Sequence, residues 1–191
     1  FFKENPYVDI IVHGEGELTF EEILLENLKD KNWDSIAGIT YQTKDYKFKT
    51  TPTRKRIENI DVMPSPYLDG VMDKLVEEWK DKYIFTASVE TVRGCPYRCT
   101  YCEIGSLYFQ KLRPQSFDKM HKEFEWMAKN KVEYIDNADS NFGLYKDRDT
   151  KIVDLLVDLK KKHGFPLIFR NDWAKDKGAD LIPIAQKLKD A

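Results

Sequence analysis

From residue 84 to residue 191, runs of strand-forming residues alternate with amphipathic helices, and this alternation is what most narrows the folds open to the chain. "IFTASVETV" (84–92) is rich in β-branched residues and predicts a strand. "SFDKMHKEFEWMAKN" predicts an amphipathic helix with Ser116 as candidate cap and Phe117, Met120, Phe124 and Met127 on one face. "VEYIDNADSNFG" then reads as a strand and loop, "DTKIVDLLVDLKKKHG" as a second helix closed by Gly164, and "FPLIFRND" as a third strand. "DLIPIAQKLKDA" predicts a third helix that tolerates Pro183 in its first turn. Strands separated by helices pair in parallel through right-handed crossovers, so the expected class is α/β.

The front of the chain is organised differently. "VDIIVHGEGELTFEEILLENLKD" predicts a buried strand, a glycine turn and a helix capped by Thr19, with Glu22 three residues on to complete a capping box. "IAGITYQTKDYKFKT" reads as two short strands around a polar turn at Lys44 and Asp45. The prolines and polar residues of "TPTRKRIENIDVMPSPYLDG" mark a connector, followed by a helix around 69–80. The expected division is therefore 1–50, a linker and connecting helix at 51–80, and 81–191.

Lys and Arg number 31 against 33 Asp and Glu, spread along the chain, so no basic stripe is available to a nucleic acid. The longest apolar runs, such as "VDIIV", fall far short of the roughly 20 residues of a membrane span. With no basic-then-apolar signal segment at the start, a soluble cytoplasmic protein is expected, without membrane partners.

All three cysteines lie within "GCPYRCTYC", spaced Cys-x3-Cys-x2-Cys at Cys95, Cys99 and Cys102 directly after the first strand of the repeating region. Three thiols on one short loop can converge on one object, and soft thiolates select an iron–sulfur cluster, zinc or copper(I). Structural zinc takes four ligands, and His13, His121 and His163 are not at finger-like spacing. The odd count argues against a disulfide framework. A four-iron cluster on three cysteines leaves one iron open to a small chelating molecule. A loop from Gly94 to Tyr108 deprived of its metal would also lose what orders it.

"CPYRCTYC" resembles the signature of radical S-adenosylmethionine enzymes. The resemblance implies a [4Fe-4S] cluster on Cys95, Cys99 and Cys102, whose open iron is chelated by S-adenosylmethionine. It places Tyr101 against the adenine. For Arg93 and Arg98 a counter-ion role beside a negatively charged cluster suffices. The family's second motif, often Gly-Gly-Glu, holds the cofactor's amino group and corresponds here to "NADSNFG", which lacks that triplet; the stretch "DSNFGLYKDRD" is similar instead to the cobalamin-binding branch. Asp139 and Asn141 become candidate ligands on that basis, against the plainer reading of turn-favouring loop residues. Arg170 and Asn171, after the third strand, either face the cofactor or cap the next turn.

The implied fold is the first half of a partial (β/α) barrel of the radical S-adenosylmethionine type, with the cluster at the carboxyl end of its strands. Residues 1–50 resemble the C-terminal remnant of a Rossmann-like cobalamin-binding domain, in which Gly14 and Gly16 let the backbone approach a nucleotide tail. Read without the family, "HGEGE" is a glycine turn and His13 a packed strand residue. The histidine motif Asp-x-His-x-x-Gly is absent, so cobalamin is expected only in a full-length protein and the chain reads as an internal fragment.

The activity implied is reductive cleavage of S-adenosylmethionine to a 5'-deoxyadenosyl radical. In this branch it leads to cobalamin-dependent methyl transfer or related radical chemistry, with an electron donor such as flavodoxin or ferredoxin and a small-molecule substrate that the sequence does not identify. The rival expectation is a non-catalytic iron–sulfur electron-transfer or regulatory module.

Overall fold

The computed structural model describes residues 1–102 and 111–191, so positions 103–108 of the cysteine loop lie outside the described residues. The chain divides into two compact units, Phe1–Glu58 and Asn59–Ala191.

The first unit contains strand β1 (Ile10–Val12), helix α1 (Glu17–Asn27) and strands β2 (Ile39–Gln42) and β3 (Phe48–Thr50). The hairpin predicted around Lys44 and Asp45 is present, with Thr40 opposite Thr50 and Gln42 opposite Phe48. Its sheet is antiparallel throughout, in the order β1-β2-β3. A Rossmann-like unit would pair its strands in parallel, so only the β1-to-α1 step matches that expectation. Ile36, Ile39 and Tyr41 form the core, with Ile10, Val12, Ile23 and Trp33 packed around it.

Helix α1 corrects one prediction. It starts at Glu17 with Gly16 at the N-cap, so Thr19 lies inside the first turn, fully buried, its hydroxyl without a partner among the described residues. Glu22 does not reach back to the helix start but pairs with Arg54. Glu15 is buried and accepts a hydrogen bond from the Ile57 N–H at 2.8 Å, which ties the turn to the segment leaving the unit.

The second unit carries the predicted alternation. It comprises α2 (Asp73–Trp79), β4 (Thr86–Val89), β5 (Val92–Arg93), β6 (Arg113–Pro114), α3 (Phe117–Lys129), β7 (Tyr134–Phe142), α4 (Lys146–His163), β8 (Ile168–Trp173) and α5 (Gly178–Asp190). The strand expected over 84–92 is thus two pieces. β4 joins the main sheet, whereas β5 turns aside to pair antiparallel with β6. The main sheet is parallel, in the order β4-β7-β8, with α3 and α4 as the crossovers.

Ser116 caps α3 as predicted, its hydroxyl accepting from the Lys119 N–H at 3.3 Å. Gly164 closes α4 in the left-handed region at φ +81°. Pro183 departs from prediction: α5 begins at Gly178, which makes Pro183 its sixth residue rather than a first-turn residue. The core between sheet and helices is built from Met120, Phe124 and Met127 of α3, Ile135 and Phe142 of β7, and Ile152, Val153 and Leu156 of α4. Phe142 meets Phe169 and Trp173 edge-on at 5.6 Å. Among the described residues no helix is long and apolar enough to cross a membrane.

Candidate functional site

Strand β7 outruns the regular register of its neighbour. Asn137 pairs with Asn171 and Phe142 with Trp173, so the residues between them bulge at the carboxyl end of the sheet. Asp139 and Asn141 sit on this bulge, within the strand rather than in the loop that the sequence suggested. Strand alternation turns both toward the segment that links β4 to the cysteines.

Asp139 is 2% exposed, and both its oxygens are engaged. The N–H groups of Thr91 and Val92 donate to Oδ1 at 2.6 and 2.8 Å, and the Thr91 hydroxyl donates to Oδ2. Its carboxylate therefore braces the backbone that enters the cysteine loop. Burial pushes the Asp139 carboxyl above its ordinary value, and these donors offset that only in part. From α4, Arg148 donates to the Thr91 carbonyl at 2.7 Å and to its hydroxyl at 3.1 Å, a clamp that the sequence reading missed. Asp149 accepts from the N–H groups of Gly143 and Tyr145 at 2.7 and 3.1 Å, and burial raises its carboxyl too.

"DSNFGLYKDRD" is thus a corner in which each charged end is tied down. Its glycine is required: Gly143 has φ +95°, and a Cβ there would lie 2.0 Å from Leu181 Cδ2.

Cys95 is 5% exposed, and the Asn141 Nδ2 donates to its sulfur at 3.1 Å. Cys99 and Cys102 are half-buried, and the Cys102 N–H donates to the Cys99 carbonyl at 3.1 Å. Among the described residues no three Cys, His, Asp or Glu side chains are gathered closely enough to hold a metal ion. The convergence expected of the three thiols is therefore not preformed here.

Between the cysteines, the Tyr97 hydroxyl donates to Asp176, which follows β8. Desolvation first, and then this carboxylate, push the Tyr97 phenol up to about 12. Tyr101 is 81% exposed. Arg93 pairs with Glu90, its Nη2 and Nε at 2.6 and 2.8 Å from one carboxylate oxygen.

Arg170 and Asn171 are neighbours on β8 and face opposite sides of the sheet. Arg170 lies on the exposed face, 2.7 Å from Asp136 and 3.9 Å from Asp172. Asn171 turns to the helix-covered face, where its Oδ1 accepts from Asn137 Nδ2 at 2.9 Å. The structure therefore separates two residues that the sequence reading had grouped. In the first unit, Gly14 has φ +83° and needs glycine, whereas Gly16 has φ −91° and a Cβ there would meet nothing within 4 Å. His13 is exposed rather than packed, with its Nε2 2.6 Å from the Thr40 hydroxyl.

The donor set fits an iron–sulfur cluster chemically. Three soft thiols share one loop, an amide N–H already points at one sulfur, and the buried Oδ1 of Asn141 has no partner among the described residues.

No family model matches the chain. It is 36% identical over its whole length to 2-(S-pantetheinyl)-carbapenam-3-carboxylate methyltransferase of Streptantibioticus cattleyicolor. It is 35% identical, again over its whole length, to the cobalamin-dependent radical SAM methyltransferase TokK of Streptomyces tokunonensis. In both cases the chain spans 28% of the relative's length. The fold matches that of the cobalamin-dependent S-adenosylmethionine radical enzyme OxsB with a TM-score of 0.62, over 100% of this chain and 27% of that one at 22% identity.

Proposed function

Because the chain belongs to the cobalamin-binding branch of the radical S-adenosylmethionine enzymes, we propose that it carries the cluster-binding part of a cobalamin-dependent radical methyltransferase. The observation that carries this reading is Cys95, buried at the carboxyl end of β4 and β7 under the Asn141 amide, on a loop whose entry Asp139 and Arg148 pin.

In this reading residues 81–191 are the N-terminal half of a partial (β/α) barrel. Residues 51–80 are the linker and connecting helix, and residues 1–50 the C-terminal remnant of a cobalamin-binding-like domain. Cys95, Cys99 and Cys102 would hold a [4Fe-4S] cluster. When bound, cluster and S-adenosylmethionine together supply one-electron cleavage of a carbon–sulfur bond, giving methionine and a 5'-deoxyadenosyl radical.

The chain's own residues contribute position. Asp139 has spent its oxygens on Thr91 and Val92, so it orients the loop rather than touching the cofactor. Asn141, whose buried carbonyl oxygen has no partner among the described residues, is the better acceptor for the cofactor's ammonium. Tyr101, on the same loop, would lie against the adenine, where its exposed ring has surface to cover. Arg170, on the exposed face of the sheet, is paired with Asp136 and would exchange that partner to reach cofactor or substrate, whereas Asn171 is held by Asn137. Gly14 and Gly16 belong to the cobalamin side, and an electron donor such as flavodoxin or ferredoxin supplies the electron.

The test is anaerobic reconstitution of the full-length protein with iron and sulfide, followed by a reductant and S-adenosylmethionine. A reduced four-iron electron paramagnetic resonance signal that changes on adding the cofactor, with release of 5'-deoxyadenosine, is expected. Both should be absent from a Cys95→Ala, Cys99→Ala, Cys102→Ala variant. A stable cluster that ignores the cofactor would identify a non-catalytic iron–sulfur module instead.

A further inference from the structure

We infer that Asn141 is a positioning residue that raises the reduction potential of the cluster, through the hydrogen bond from its side-chain amide to the Cys95 sulfur. The inference rests on the cluster assignment proposed above. A cysteine sulfur bound to iron is a thiolate and only accepts, so the amide nitrogen must face it; the carbonyl oxygen there would set lone pair against lone pair. The contact is 3.1 Å. Cys95 is 5% and Asn141 7% exposed, so water neither competes for the bond nor screens it.

The contact is also held from both sides. Asn141 projects from β7 on the same face as Asp139, and Asp139 binds the N–H groups of Thr91 and Val92 just before Cys95. Amide and sulfur are therefore two points of one braced corner rather than two mobile side chains.

On reduction, one electron enters from an external reductant and the cluster becomes more negative by one unit, with no bond made or broken. A donor N–H at a ligand sulfur stabilises the more negative state more, so it shifts the potential upward. Without that N–H, the ratio of reduced to oxidised cluster at a fixed applied potential should fall about tenfold, equivalent to about 59 mV for a one-electron couple.

The experiment is a redox titration of the reconstituted full-length protein, without S-adenosylmethionine, followed by the reduced-cluster resonance signal. Asn141→Ala removes the donor. Asn141→Asp keeps the volume while replacing the donor with a carboxylate, and Asn137→Ala removes a neighbouring buried amide that serves Asn171 and Asp139 but not the Cys95 sulfur. The expected result is a downward shift in Asn141→Ala, a larger one in Asn141→Asp, and no shift in Asn137→Ala. Should Asn141→Ala lose its cluster, the Asp variant still reads the potential. An unshifted Asn141→Ala, an equal shift in Asn137→Ala, or loss of the cluster from both Asn141 variants would overturn the inference. A wild-type protein with no reducible four-iron signal would overturn the cluster assignment itself, a separate outcome.

Discussion

Replacing Asp139 by alanine should damage the second unit more than any surface change of similar size. In the native state this side chain is 2% exposed, and Thr91, which it holds, is 1% exposed. Asp139→Ala leaves the N–H groups of Thr91 and Val92 without their acceptor in a site closed to water. Each buried unsatisfied donor costs about 1–3 kcal/mol, so the pair costs about 4 kcal/mol. At about 2 kcal/mol per molar urea, the unfolding midpoint should move by about 2 M.

Asp139→Asn tests the reasoning more sharply. It keeps an oxygen for both N–H groups and removes the cost of burying a charge, but it sets an NH2 against the Thr91 hydroxyl, to which Arg148 already donates. Its net cost should be about 1 kcal/mol. Asp136→Ala is the control: its pair with Arg170 is exposed and screened by water, so its loss should barely move the midpoint. Urea unfolding of the three variants decides the matter. If Asp139→Ala costs no more than Asp136→Ala, or if the Ala and Asn variants are equal, the bracing argument is wrong.

Phe142→Ala, which removes a 1% exposed ring packed on Phe169 and Trp173, should cost about 3–5 kcal/mol in the same assay. Gly164→Ala should cost about 1 kcal/mol through backbone strain alone, because φ is +81° yet an added Cβ meets nothing within 4 Å; a lower melting temperature would show it. Burial holds the Asp149 carboxyl above its ordinary value, so the native state keeps a proton that the unfolded chain has released. Stability from this group is then fullest below about pH 4 and declines as pH rises through the raised native value; urea midpoints across that range should decline less in Asp149→Asn. Asp176→Asn should lower the Tyr97 phenol only part of the way from about 12, since desolvation is the larger cause of its rise; ultraviolet titration against Tyr97→Phe isolates it.

The elements whose formation depends on local spacing were legible in the residues. Helices α3 and α4, the Ser116 cap, the Gly164 stop and the parallel order of β4, β7 and β8 follow from hydrophobic periodicity and capping chemistry, which neighbouring residues largely determine. Local rules misjudged the helix starts. Burial outweighs capping preference at Thr19, and α5 begins two residues before Asp180, at the exposed Gly178. The resemblance carried by the cysteine segment likewise anticipated the family of the relatives without any fold.

Which partner each polar side chain serves was decided only by the tertiary structure. "DSNF" looks like loop because Asp and Asn favour turns, yet a bulge keeps these residues in β7 and sends Asp139 to a backbone 47 and 48 positions away. Arg170 and Asn171 look like one polar pair, and strand alternation parts them to opposite faces. The Arg148 clamp on Thr91 spans 57 positions, and the Asn141 bond to Cys95 spans 46. Composition and periodicity carry the one-dimensional signals, hydrophobic rhythm and cysteine spacing. Pairings across such separations exist only once the crossover helices have brought the strand ends together.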